Sequence, residues 1–170
     1  MFRVFGCILI FICCTSLGFI KSSSYRARTE ELQGVREILR LIEMEMTYKR
    51  DSLYKVFVQV SDNRDCWLSG VLKSCSRMMK EEKPLASSWD EALRESMENC
   101  PLKEKDLETL RDLFMGLGRS DISGQKKIME PAITKTEASL AEAAEQERKA
   151  GRMYKGLGIS AGIVIAVILL

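Results

Sequence analysis

Six cysteines, 24 carboxylates and no histidine set the chemistry open to this chain of 170 residues. Without His there is no Ser–His or Cys–His pair to activate a nucleophile and no imidazole to ligate a metal. The one side chain that titrates near neutral pH when unperturbed is also missing. Cys66, Cys75 and Cys100 stand nine and twenty-five residues apart with no C-x-x-C pair, so neither a zinc site nor a thioredoxin-like dithiol is supported. Buried structural thiols are the expectation. The carboxylate neighbours Glu43 and Glu45, Glu81 and Glu82, and Asp90 and Glu91 point apart on a helix and read as solvated faces or a cap. Gly116 and Gly118 precede a helix but lack the Lys and Ser/Thr of a phosphate loop. The sequence therefore predicts a protein that is not an enzyme, with no cofactor, no metal and no small-molecule substrate.

The charges exclude a second class. Of 26 Lys and Arg and 24 Asp and Glu, only Arg3 lies outside Lys21–Lys155. The middle is thus nearly balanced, whereas nucleic acid would require a basic face.

The apolar residues gather at both ends. Val4–Ile20 is uncharged between Arg3 and Lys21 and as a helix spans about 25 Å, a short but sufficient membrane helix. A cleaved signal peptide competes for it, with Ser16 and Gly18 as small residues at suitable spacing. Leu157–Leu170 is also uncharged, apolar and β-branched, and reads as a tail anchor beginning around Tyr154. A GPI-type tail is disfavoured because charged residues precede it. Gly158, Gly162 and Ala166 recur every four residues, a small-residue face for helix association in the membrane, with a second copy among its candidate partners. Lys21, Arg26, Arg28, Arg148, Lys149, Arg152 and Lys155 flank the spans on the domain side against Arg3 beyond them. By the positive-inside rule this bias places the central domain in the cytoplasm. The expected organisation is an N-terminal transmembrane helix over 1–21, a cytoplasmic helical domain over 22–155 and a C-terminal anchor over 156–170.

The middle carries helical periods. Leu32, Val35, Leu39, Ile42 and Met46 form a three-four seam that continues from the first span. Leu53, Val56, Phe57 and Val60 repeat it after the break Lys49–Ser52, as do Trp67, Val71, Leu72 and Met78 after Asp62–Asp65. Lys83-Pro84 ends the third helix, and Ser88-Trp89-Asp90-Glu91 forms a capping box that opens a fourth with Trp89 and Leu93 inward. Pro101 stops it. Leu107, Leu110, Phe114 and Leu117 form the next stripe, closed by Gly116 and Gly118 as C-terminal glycines. A last helix starts near Ser120 or Asp121 and runs into the tail anchor, with a kink or first-turn irregularity at Pro131. Its segment Ala138–Ala150 is rich in Ala and carries only Leu140 as a large apolar group. Either this stripe packs on the first helix as a stalk or it docks another protein. No segment alternates with period two. The fold class is all-α: a bundle of about five to six helices between two transmembrane helices.

Arg26–Tyr48, Trp89–Leu93, Leu117–Ile128 and Met153–Leu170, taken in order, resemble the stage III sporulation protein AB family of endospore-forming bacteria. The likeness is specific at the LG-x-x-D-x-x-x-Q run, carried by Leu117, Gly118, Asp121 and Gln125. It departs from the family's pattern at Asp51-Ser52-Leu53 and at Pro131. What it implies is a single copy of the cytoplasmic helical domain of type II secretion and type IV pilus platform proteins. That domain would sit in the mother-cell membrane around the forespore, within a channel or secretion-like complex. A companion secretion-type ATPase, stage III sporulation protein AA, would work on it from the cytoplasm. On that reading Trp89 and Leu93 are core, and Gly118 and Asp121 set the last helix. The competing reading is a two-pass sensor whose helical domain lies outside and binds a ligand.

Overall fold

The seam Leu32, Val35, Leu39, Ile42 and Met46 forms the buried face of a single helix, α1, that runs from Phe2 to Tyr48. The computed structural model describes residues 2–48, 52–117, 122–151, 153–154, 156–157, 160 and 164, the side chains of 2–11, 14–15, 18, 99, 122–123 and 125–126 excepted. After α1 come α2 (Leu53–Asn63), α3 (Trp67–Lys80), α4 (Leu85–Ser96), a 3-10 turn (Met97–Asn99), α5 (Glu104–Leu117), α6 (Ile122–Gln146) and a π-turn (Glu147–Gly151). The protein is all-α, with no strand among the described residues. Nor is any helix among them long and apolar enough to cross a membrane.

The chain forms two compact units, one of Glu30–Leu140 and one of Met1–Thr29 with Ala141–Leu170. The first is the bundle. Its core draws on all six helices, including Ile38 and Leu39 of α1, Phe57 of α2, Leu72 of α3, Trp89 of α4, Phe114 of α5 and Met129 of α6. At its centre the Trp89 ring stacks on Phe114 at 4.1 Å, and Phe57 meets Phe114 edge-on at 5.6 Å. These are the two arrangements that an aromatic quadrupole favours.

α3 is seated on α1 by its first turn. Cys66 is its N-cap, and Ser69 accepts a hydrogen bond from the Cys66 amide at 3.2 Å. The Glu31 carboxylate of α1 accepts the Leu68 amide at 3.2 Å, satisfying an amide at the positive end of the helix. One turn along α1, Gly34 leaves room for this approach, since a Cβ there would stand 2.9 Å from the Cys66 Cβ. Arg64 pairs with Glu37 of α1 at 2.7 Å, and the Trp67 indole donates to the Ser96 carbonyl at 2.7 Å.

Local ends depart from the sequence expectation in several places. α4 begins at Leu85, so Ser88 and Glu91 lie inside it and form no capping box. Pro84 is the N-cap and its carbonyl accepts the Ser88 amide at 3.0 Å, while Glu91 pairs with Lys83. Proline's fixed φ suits a helix start, and this moves the entry one turn earlier. The Ser88 hydroxyl is instead buried with no partner among the described residues. A buried unpaired hydroxyl costs about 1–3 kcal/mol. Ser88→Ala is therefore expected to raise stability by about 0.5–1 kcal/mol, read as an upward shift in the thermal midpoint. A true cap would instead lose about 1 kcal/mol on the same change.

Gly116 lies in the last turn of α5, whose last described residue is Leu117, and Gly118 lies outside the described residues. No described glycine has positive φ, and a Cβ on Gly116 would stand 3.1 Å from Ile128 of α6, so the residue serves close helix approach. α3, by contrast, ends in a left-handed turn without glycine: Glu82 has φ 65°, with the Glu82 amide bonded to the Met79 carbonyl and the Lys83 amide to the Met78 carbonyl. Pro131 falls inside α6, beyond its first turn. Finally, the last helix does not continue unbroken, because α6 gives way to the π-turn at Glu147.

Candidate functional site

The thiols come first, being the strongest nucleophiles in the chain. Burial is the leading cause that pushes Cys75 up to about 12 and Cys66 up to about 11, and it raises Cys100 as well. At Cys66 the Ser69 amide opposes the rise and the Glu31 carboxylate adds to it. All three therefore carry their protons at neutral pH, the inert form. Among the described residues no group of three metal-ligating side chains comes together. A thiol that ionises near 9 when unfolded but only at 11–12 when folded holds its proton more tightly in the native state. That stability is whole below about pH 8.5 and is lost as pH rises toward 11–12. The thermal midpoint is expected to fall steeply above pH 9, and alkylation of Cys66, Cys75 and Cys100 by iodoacetamide at pH 7.5 to be slow in the folded chain. Complete alkylation within minutes at that pH would overturn the inert reading.

The unit of Met1–Thr29 and Ala141–Leu170 is a helix pair with its own contacts. The Tyr25 and Tyr154 rings stack at 6.0 Å. Arg28 donates to the Gln146 side chain at 3.4 Å, and a Cβ on Gly151 would stand 3.2 Å from the Ser22 hydroxyl. Ala143 is buried while Ala141 and Ala144 are exposed, so only part of the alanine stripe is covered. Between the two segments lies a cleft of about 620 Å³, lined by Ser22, Ser23 and Arg26 of α1 and by Glu147, Arg148 and Gly151 of the π-turn.

The flanking basic residues are thereby sorted. Lys21, Arg26, Arg148 and Lys149 are exposed, whereas Arg28 is only 6% exposed and belongs to the helix-pair contact. Lys149 reaches back one turn to Glu145, whose carboxyl that bond holds below the usual range. Arg26 and Arg148 are brought to the same cleft. Arg152 and Lys155 lie outside the described residues, as do Gly118, Asp121, Gly158, Gly162 and Ala166, and Gln125 is described only in its backbone within α6. Trp89 is fully buried and Leu93 packs partly buried against the core. Sequence reasoning missed the cleft and the seat of α3. The only signals were Gly151 closing a strongly helical run and Gly34 inside the apolar seam.

Comparison with known proteins gives one consistent answer. The family model described as stage III sporulation protein AB matches residues 3–170. Stage III sporulation protein AB of Bacillus subtilis (strain 168) is 26% identical over 171 residues, covering 100% of both chains. A solved structure of a stage III sporulation protein AB superposes with a TM-score of 0.66 at 23% identity, over 72% of this chain and 98% of that one, and so shares its fold.

Proposed function

The chain belongs to the stage III sporulation protein AB family, and on that premise we propose that it is a non-enzymatic membrane platform whose helical bundle couples a cytoplasmic ATPase to membrane components of the mother cell to forespore channel. Its role lies in sporulation. The observation that carries the membrane reading is that two uncharged apolar runs, Val4–Ile20 and Leu157–Leu170, flank the bundle's Glu30–Leu140 in the sequence. Basic residues flanking them on the bundle side of the sequence favour a cytoplasmic bundle. The protonated thiols support work by contact rather than by catalysis. The partner is a secretion-type ATPase of the kind the family resemblance implies, stage III sporulation protein AA, and the membrane is the mother-cell membrane around the forespore.

Single cysteines at the exposed positions Glu82 and Lys105, in a chain otherwise stripped of Cys, test the arrangement with a membrane-impermeant maleimide. Labelling only after cells are permeabilised is expected, followed by co-purification with the ATPase. Labelling of intact cells would overturn the platform and favour an extracytoplasmic ligand sensor.

A further inference from the structure

We propose that the cleft between α1 and the π-turn is a binding site for the phosphodiester headgroup of an anionic glycerophospholipid, of the phosphatidylglycerol class. The π-turn carries the first part of the argument. π-turns are rare, cost hydrogen-bond geometry and gather at functional sites. Here Glu147–Gly151 replaces α-helix in a segment whose Ala, Glu, Gln, Arg and Lys residues are strong helix formers. Ala144, Glu147, Arg148 and Gly151, at the three-four spacing of one helix face, line one wall of the cleft.

The chemistry of the walls carries the second part. Arg26 and Arg148 reach the cleft from two different segments, and guanidinium forks match phosphate oxygens better than any other side chain. Ser22, only 6% exposed, and Ser23, whose hydroxyl donates to the Ile20 carbonyl at 2.9 Å, complete the α1 wall. Among the described lining residues the carboxylate is Glu147. The free hydroxyls of a glycerol headgroup can donate to the Glu147 carboxylate. The volume, about 620 Å³, exceeds what one phosphate needs and accommodates a glycerol phosphate.

Position selects a lipid over a soluble phosphate. Ser22 follows the uncharged run by two residues, half-exposed Phe19 lies at the cleft, and the same helix pair carries the stacked Tyr25 and Tyr154. Aromatic rings of this kind favour the headgroup level of a bilayer, where basic side chains attract anionic lipid. This part rests on the two-span reading of the preceding section.

The test uses the full chain purified in detergent with equal amounts of phosphatidylglycerol and phosphatidylcholine, bound lipid being counted by native mass spectrometry. The wild type is expected to retain one phosphatidylglycerol in preference to phosphatidylcholine. R26Q/R148Q should lose it at least tenfold, R26K/R148K should keep most of it, and K80Q/K127Q, which removes the same charge elsewhere, should match the wild type. Helicity by circular dichroism checks each fold, and R148Q alone, at an exposed site, should show an intermediate loss even if the double variant unfolds. Retention by R26Q/R148Q equal to wild type, or equal loss in K80Q/K127Q, overturns the site. Displacement of the lipid by excess glycerol 3-phosphate makes the ligand a soluble phosphate and overturns the lipid assignment. Carbonate washing of cell membranes separates the two readings: a chain released into the supernatant overturns the spans, whereas a chain that stays in the pellet yet binds no lipid overturns only the cleft.

Discussion

Trp89→Ala is expected to be the most damaging single substitution in the bundle, costing about 3–5 kcal/mol. The ring is fully buried and stacked at 4.1 Å on Phe114, which is itself held edge-on by Phe57. Its removal therefore leaves a cavity bordered by the Phe114 ring, which Phe57 holds from collapsing into it. For a chain of this size the thermal midpoint should fall by roughly 6–20 °C. Trp89→Phe separates the two properties of the side chain. The indole N–H is buried with no partner among the described residues, so phenylalanine removes an unsatisfied donor while keeping most of the stack, and the loss should stay below about 1.5 kcal/mol. Equal losses for the two variants, followed by thermal unfolding of the full chain in detergent, would show that the ring stack does not hold the core.

Gly34→Ala should also destabilise, by about 1–3 kcal/mol, although alanine is the better helix former by roughly 0.5–1 kcal/mol. The added Cβ would stand 2.9 Å from the Cys66 Cβ, an atom fixed by the first turn of α3 rather than at the end of a pliable side chain. Relief would move the N-terminus of α3 off the Glu31 carboxylate that accepts the Leu68 amide. Gly70 provides the opposite case within α3, since a Cβ there meets nothing within 4 Å. Gly70→Ala should stabilise by about 0.5–1 kcal/mol. Denaturation midpoints of the two variants thus move in opposite directions, and a gain for Gly34→Ala would refute the close seating of α3 on α1.

The contrast between those glycines marks where the sequence is informative. Periodicity reports which residues leave water, so the seam Leu32 to Met46, the Val56, Phe57 and Val60 stripe and the burial of Trp89 were all legible. It also placed Leu110, Phe114 and Leu117 inward, while Leu107 is only partly covered and Leu113 is buried in its stead. Close approach between helices leaves no such pattern, and nothing local separates Gly34 from Gly70. Terminal signals failed where two of them competed: Pro84 and the Ser88–Glu91 box both mark a helix start, and the backbone took the earlier one. Glu82 in a left-handed turn could not be foreseen, because the composition rule looks for glycine there. The cleft was illegible for a different reason. It joins residues more than a hundred positions apart, Arg26 and Arg148, whose meeting no local side-chain pattern announces.

The π-turn of Glu147–Gly151 has a consequence for helical phase. Each residue of an α-helix advances the chain by about 100° around its axis, and a π-turn takes in one residue more than an α-turn. Tyr154 is therefore turned by about 100° from where an uninterrupted helix would carry it, and it is in this shifted phase that it meets Tyr25. Deleting one residue between Glu147 and Gly151 would restore the ordinary phase and swing Tyr154 to another side of its helix. The segment can accept many side chains, but its residue count is fixed by the ring it has to deliver.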